Sequence, residues 1–326
     1  MHDPSAILET AMVRLLVDRV DFMTARAILG HTVVHALLPP TRRRALVRRV
    51  GRHLERCFPG RVHEVPHLVR RFTTHYRLRL AEDLETVSFR SVGRHLEVMR
   101  RHVSFQGLEH WQAALARPEG GLLVGCHVGS PILGTAAVLA HAIMESPRTG
   151  RTIRVCMDPE ATRYARLRQA MTQAWETYQL DARMVLTGRE PRAIIQELDE
   201  VLEGGGLVTT NLDVMWGGRS RRAFRLFGRV WVRLPALVAA ARTALANRAW
   251  LLPWVNIRTR RGFILRFEPV IAPMARVPRE ALESDHPELI ELCERLREVL
   301  EAWIVAHPTQ WSYWDRFHRR LVEEIP

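Results

Sequence analysis

The stretch Gly121–Gly134, Gly-Leu-Leu-Val-Gly-Cys-His-Val-Gly-Ser-Pro-Ile-Leu-Gly, limits what this chain can fold into more than any other. Its short apolar run, Leu122–Val124, reads as a buried strand. The run ends in His127-Val128-Gly129-Ser130-Pro131, and an apolar helix pattern continues over Ile132–Ala142. Strand, glycine turn, then helix is how α/β proteins present a side chain at the carboxyl end of a sheet. Pro131 suits the first helical turn, where its missing N–H costs nothing, and Ser130 suits the N-cap. His127 then stands at the crevice where such folds bind ligands. It is either a strand-capping histidine or a general base.

The rest of the chain agrees with an α/β fold whose mostly parallel sheet is flanked by helices and preceded by a helical region. Residues 1–110 read as all-helical, and residues 111–326 as the α/β domain. Helical spacing covers Ile7–Phe22, Thr24–Leu38, Thr41–Cys57 and Val65–Glu82, with stops at Pro39-Pro40 and Pro59-Gly60. From Gly121 onward the pattern alternates. Strands are expected at Leu122–Cys126, Ile153–Met157, Arg183–Leu186, Leu207–Asn211, Leu251–Ile257 and Phe263–Phe267. Helices are expected at Ile132–Met144, Ala161–Tyr178, Pro191–Leu202, Pro235–Leu245 and Pro287–Ala306. Strands separated by helices imply βαβ units and a parallel sheet. The last two strands flank Thr259-Arg260-Arg261-Gly262 and read as a hairpin.

Charge narrows the partners. The net charge is +13, and every basic side chain among the 48 Lys and Arg residues is arginine. Such a balance suits acidic carriers, phosphorylated cofactors, anionic membrane surfaces or RNA. The run Arg42–Arg52 is either a solvated helix face or a membrane-facing one. The four cysteines are scattered, which points to a reducing compartment without a disulfide framework. No metal spacing appears, and neither a cofactor nor DNA binding is expected. The chain reads as cytoplasmic, with peripheral contact at the inner membrane face as the alternative.

Two further clusters bear on chemistry. Gly204-Gly205-Gly206 precedes a strand and lacks a Gly-Lys-Ser/Thr ending, so it reads as a helix C-cap and turn, not a phosphate loop. Thr209-Thr210-Asn211-Leu212-Asp213 ends a strand and leads into Trp216-Gly217-Gly218-Arg219-Ser220-Arg221-Arg222. In a parallel sheet that end lies on the same side as His127. A carboxylate and three arginines there form a site for an anionic ligand, or an ordinary solvated loop.

His127-Val128-Gly129-Ser130 after an apolar strand resembles the block His-(Phe/Leu)-Gly-(Asn/Ser)-Trp-Glu of the bacterial lipid A lauroyl/myristoyl acyltransferases, members of the lysophospholipid acyltransferase superfamily. Gly205–Asp213 resembles the family's strand ending in Asp-Gln. Phe224-Arg225-Leu226-Phe227-Gly228 resembles its Val-Pro-Phe-Phe-Gly segment, and Leu234-Pro235-Ala236 with Pro253 resembles the family's next helix and strand. The tail, His307 to His318, resembles Pro-Glu-Gln-Trp-x-Trp-x-His-x-Arg-(Trp/Phe). The resemblance implies an acyltransferase in which His127 is the general base on an acceptor hydroxyl or amine, which attacks the thioester of acyl carrier protein or coenzyme A. It implies an oxyanion held by backbone N–H groups or a basic side chain near the helix N-terminus.

The sequence departs from the family pattern at the motif acid. Five positions after His127 stands Ile132, which cannot accept a hydrogen bond, and Pro131 replaces the usual aromatic residue. Three explanations stay open. Another carboxylate takes over, Asp213 first and Asp158 second; His127 works alone on an easier reaction; or the fold has become a non-catalytic binder of acyl chains or carriers. A charged-tRNA donor is a further alternative that the charge accommodates. The substrate-binding set expected around His127 and Asp213 is Ser130, Asn211, Arg219, Arg221 and Arg222. The family's usual N-terminal membrane span is broken up here by Arg14, Asp18, Arg19, Asp21 and Arg26.

Overall fold

The computed structural model describes residues 20–31, 40–88, 92–145, 151–157, 172, 175–176, 181–186, 190–214, 222–273, 275–283 and 285–322. Four helices come first among these: α1 (Phe22–His31), α2 (Pro40–Cys57), α3 (Val65–Ser88) and α4 (Val92–His102). Next come β1 (Val103–Gln106), α5 (Leu108–Leu115), β2 (Gly121–Gly125), α6 (Pro131–Glu145), β3 (Ile153–Met157), β4 (Ala182–Leu186), α7 (Pro191–Glu203) and β5 (Leu207–Asn211). The chain then forms β6 (Ala223–Leu226), β7 (Val230–Arg233), α8 (Pro235–Asn247), β8 (Trp250–Arg258), β9 (Phe263–Phe267) and α9 (Pro287–Ala306). Each expected strand of the α/β region falls within a residue or so of its observed bounds. The expected helices Ile7–Phe22 and Ala161–Tyr178 lie mostly outside the described residues.

Seven strands form one sheet in the order β1-β9-β8-β2-β5-β3-β4. The five from β8 to β4 are parallel, while β8 and β9 pair antiparallel through the expected hairpin. The strand β1 pairs parallel with β9 at the edge and interrupts a region whose spacing had suggested helix throughout. Four residues carry too short a period to register against the helical pattern around them. A separate antiparallel ribbon, β6–β7, turns at Phe227-Gly228, both at positive φ (55° and 61°). Phe227 is held in that turn by the rings of Phe58 and Trp314 at centroid distances of 5.0 and 6.0 Å.

β2 is buried along its whole length because it lies between β5 and β8 and is covered on both faces. Its alternate side chains divide the core. Leu122 and Val124 pack with α2, the first half of α3, α7, α8, α9 and the C-terminal tail. Leu123 packs with α1, α5, α6 and the tryptophans of β8. Glycine makes room for those tryptophans: a Cβ on Gly125 would lie 2.5 Å from Trp254 Cζ2, and one on Gly134 2.8 Å from its Cζ3. This fixes the strand-to-helix turn between two packed layers. No described helix is long and apolar enough to cross a membrane.

Candidate active site

The register of β2 and β5 brings His127 and Asp213 level. Gly125 is paired with Asn211, and Leu212 N–H donates to the Gly125 carbonyl at 2.9 Å. Two residues beyond Gly125 and Asn211, on the same side of the sheet, stand His127 and Asp213. The imidazole Nδ1 lies 2.7 Å from Asp213 Oδ1. The other carboxylate oxygen, Oδ2, accepts from the His127 backbone N–H at 2.9 Å and from Trp311 Nε1–H at 2.8 Å. Asp213 is fully buried, and the His127 side chain retains 17% exposure.

These contacts fix one ring proton by chemistry. An ionised carboxylate can only accept, so Nδ1 donates its hydrogen to Asp213, and Nε2 is the ring nitrogen left for a substrate. Among the described residues Nε2 has no hydrogen-bond partner. Burial alone would push the Asp213 carboxyl up. The charge and hydrogen bonds of His127, with the nearby Arg320 guanidinium, outweigh burial and hold it below the usual carboxylate value. Asp213 therefore fills the position at Nδ1 that Ile132 leaves open. Ile132 is half-buried and packs among apolar side chains of the α6 face. Asp158, the other candidate carboxylate, lies outside the described residues.

The turn itself is clamped by the tail. Gly129 N–H donates to the Gln310 carbonyl at 3.1 Å, and Ser312 N–H to the His127 carbonyl at 3.0 Å, around an antiparallel bridge between Val128 and Trp311. Gln310 also joins the tail to β8, its amide exchanging two hydrogen bonds with the Arg258 backbone at 2.8 and 3.0 Å. Gly129 has φ +68°, and a Cβ there would sit 2.0 Å from the Asn256 carbonyl oxygen. No other residue type fits that close approach. The Tyr313 ring meets His127 edge-on at a centroid distance of 4.5 Å. Behind the turn, buried Glu82 of α3 binds both Arg26 of α1 and Arg258 of β8, tying the helical region to the site.

The other residues expected at the site differ in what they do there. Ser130 is buried and its carbonyl accepts the first α6 bond from Gly134 N–H and a second from Asn256 Nδ2–H at 2.7 Å. Its hydroxyl has no partner among the described residues, so the side-chain N-cap expected of it is not made. Asn211 is half-buried beside Gly125, with a Cβ at Gly125 falling 2.8 Å from its Oδ1. Arg222 lies with its guanidinium 5.7 Å from the Phe224 ring centroid, and its charge acts on the Cys293 thiol. Arg219 and Arg221 lie outside the described residues. Cys126 is enclosed, and burial raises its thiol well above the ordinary value, so it offers no nucleophile.

Gln310, Trp311, Tyr313 and Arg320 were not expected at the site. The tail is marked in the sequence by its resemblance to the family's Pro-Glu-Gln-Trp block, but spacing does not reveal that it returns nearly two hundred residues later to the β2 turn.

A mostly parallel sheet presenting a hydrogen-bonded histidine–aspartate pair at a strand–glycine–helix junction places the chain among α/β proteins with a site at the carboxyl end of the sheet. More narrowly, the chain belongs to the bacterial lipid A biosynthesis acyltransferase family, whose model matches residues 24–322. Comparison with curated proteins gives no match.

Proposed function

We propose that this protein transfers an acyl group from a thioester donor, on acyl carrier protein or coenzyme A, to a hydroxyl or amine of a lipid or small-molecule acceptor. The observation that carries the reading is the 2.7 Å contact between His127 Nδ1 and the buried Asp213 carboxylate. Family membership supports acyl transfer to a lipid acceptor.

In this reading Nε2 of His127 takes the acceptor proton as the acceptor oxygen or nitrogen attacks the thioester carbonyl. The C–O or C–N bond forms, and the negative charge moves onto the carbonyl oxygen. First-turn amides of α6, which a helix cannot satisfy internally, lie next to the turn and are suited to that charge. Collapse breaks the C–S bond, and the imidazolium returns its proton to the departing thiolate. Asp213 stabilises the imidazolium and holds the ring so that Nε2 faces the acceptor, the logic of a catalytic triad whose nucleophile is the substrate. Asn211 is assigned to the acceptor, and Ser130 to the shape of the turn beside it. Arg219, Arg221 and Arg222 are assigned the anionic part of the donor because they follow Asp213 closely in the sequence.

The test is acyl transfer from each thioester with His127→Ala in parallel. The reading expects a product that requires His127. Equal product with and without the imidazole refutes it.

A further inference from the structure

Arg320 stands out among the charged side chains of the described residues. It lies beyond the clamp segment and is 1% exposed. None of its three guanidinium nitrogens has a hydrogen-bond partner among the described residues. A buried guanidinium without a hydrogen bond is costly. Its backbone explains how it is held: the Arg320 carbonyl accepts from Arg233 N–H at 2.9 Å, and the next residue, Leu321, bridges Val232. The β6–β7 ribbon thus holds the tail at this point. The guanidinium carbon lies 4.2 Å from the centroid of the Tyr313 ring, which in turn meets the His127 ring at 4.5 Å. The cation is therefore two ring contacts from the imidazole and is itself closed to solvent.

We infer that Arg320 is a positioning residue for the His127–Asp213 pair, its guanidinium stacked on Tyr313 supplying a positive charge that offsets the pull of the Asp213 carboxylate on the imidazole. This rests on the reading of His127 as the base.

The other charged groups around His127 do not do the same work. Asp213 is negative and touches the ring directly. Arg258, on the β8 side, is neutralised by Glu82 with two hydrogen bonds. His75 lies against Arg258 at 3.2 Å, and burial with that arginine's charge lowers it to about 3, so it stays neutral. Tyr313 is kept protonated by burial and by the Asp213 carboxylate. Arg316 and Arg79 also act on Tyr313. Arg316 is half-exposed and stands beside Asp315. Arg79 lies over the Tyr76 ring at 5.1 Å. Arg320 is the enclosed cation of the set without a salt-bridge partner among the described residues, and in an enclosed site a charge acts with little screening. Asp213 and Tyr313 both favour its charged form against the burial that opposes it.

The experiment follows the His127 imidazole by NMR titration in the full chain, for wild type, Arg320→Met and Arg320→Gln. Both variants remove the charge, and methionine leaves no polar group behind, so at least one neutral replacement suits the enclosed space. Loss of a cation at this range raises the His127 midpoint by about one pH unit. The acid limb of kcat/KM moves up by the same amount, and Arg320→Lys, which keeps the charge, moves it less. A structural role alone lowers Tm in the variants and leaves the midpoint in place. An unchanged His127 midpoint in a folded neutral variant overturns the inference. The titration reads the imidazole itself, so absence of turnover with every donor would remove the acyl-transfer reading without deciding the Arg320 question.

Discussion

Replacing Asp213 with asparagine separates orientation from shape, because the two side chains have the same size. Asp213 accepts three hydrogen bonds: one at Oδ1 from the imidazole, and two at Oδ2 from the His127 backbone and Trp311. An asparagine keeps the latter two by placing its carbonyl oxygen where Oδ2 lies. Its NH2 then faces Nδ1, which must become an acceptor, so the ring hydrogen moves to Nε2. The nitrogen that should take the acceptor proton is then already occupied. In a comparable hydrogen-bonded pair the wrong tautomer lowers kcat by roughly 10⁴, which corresponds to about 5 kcal/mol of transition-state stabilisation. Loss of a charged acceptor from three bonds lowers folding stability by about 2 kcal/mol. The assay is single-turnover acyl transfer at saturating acceptor, with thermal unfolding on the same samples. Turnover within about tenfold of wild type in Asp213→Asn would refute the orienting role, since no other described carboxylate reaches Nδ1.

Other substitutions test the support of the pair and its dependence on pH. Trp311→Phe keeps the ring packing and removes one hydrogen bond to Asp213; transfer should fall by about tenfold, as expected for a bond to a charged group, and an unchanged rate would show that the carboxylate holds its place without the indole. Gly129→Ala forces a Cβ against the Asn256 carbonyl, so the turn shifts; activity should fall by about 10² or more from misplacement of the base, measured beside Tm, and wild-type kinetics would contradict the clamped turn. Ile132→Glu restores the acid of the family motif in a half-buried apolar setting where Nδ1 is already engaged; activity should not rise and stability should drop by about 1–3 kcal/mol, whereas a gain in rate would show that the Asp213 arrangement is the weaker one. The buried histidines predict acid lability. Burial and nearby cations lower His53 to about 4 and His75 to about 3, so the unfolded chain takes up these protons below its ordinary 6.5 while the folded chain refuses them. Stability should therefore be steady above pH 6.5 and fall from there toward pH 4, by about 1.4 kcal/mol per histidine per pH unit at most, and a flat denaturation midpoint over that range would contradict the neutral assignments.

Much of this architecture is legible in the amino-acid sequence because its signals are local. The strand–turn–helix at Gly121–Gly134, the hairpin around Gly262 and the closing helix Pro287–Ala306 each announce themselves through periodicity and turn residues. Asp213 could be nominated because a parallel sheet sends every strand end to one side. What local pattern could not carry is the joining of distant segments. The 2.7 Å contact with His127 depends on which strand lies beside β2, and strand order is not written in spacing. The tail's clamp on the turn, the Glu82 junction between helices and β8, and the burial of Arg320 all arise from contacts across long stretches of chain. Ser130 shows the converse. Its sequence position is that of an N-cap, yet its hydroxyl is buried without a hydrogen-bond partner among the described residues.

The most direct test of the account is mass-spectrometric detection of acyl transfer by wild type and His127→Ala. The donors are acyl carrier protein thioesters, coenzyme A thioesters and charged tRNA, each offered with lipid, amine and hydroxyl acceptors. The account predicts an acylated acceptor from a thioester donor with wild type, and loss of that product with His127→Ala while the fold is retained. Transfer that proceeds equally without His127, or from charged tRNA alone, would contradict it.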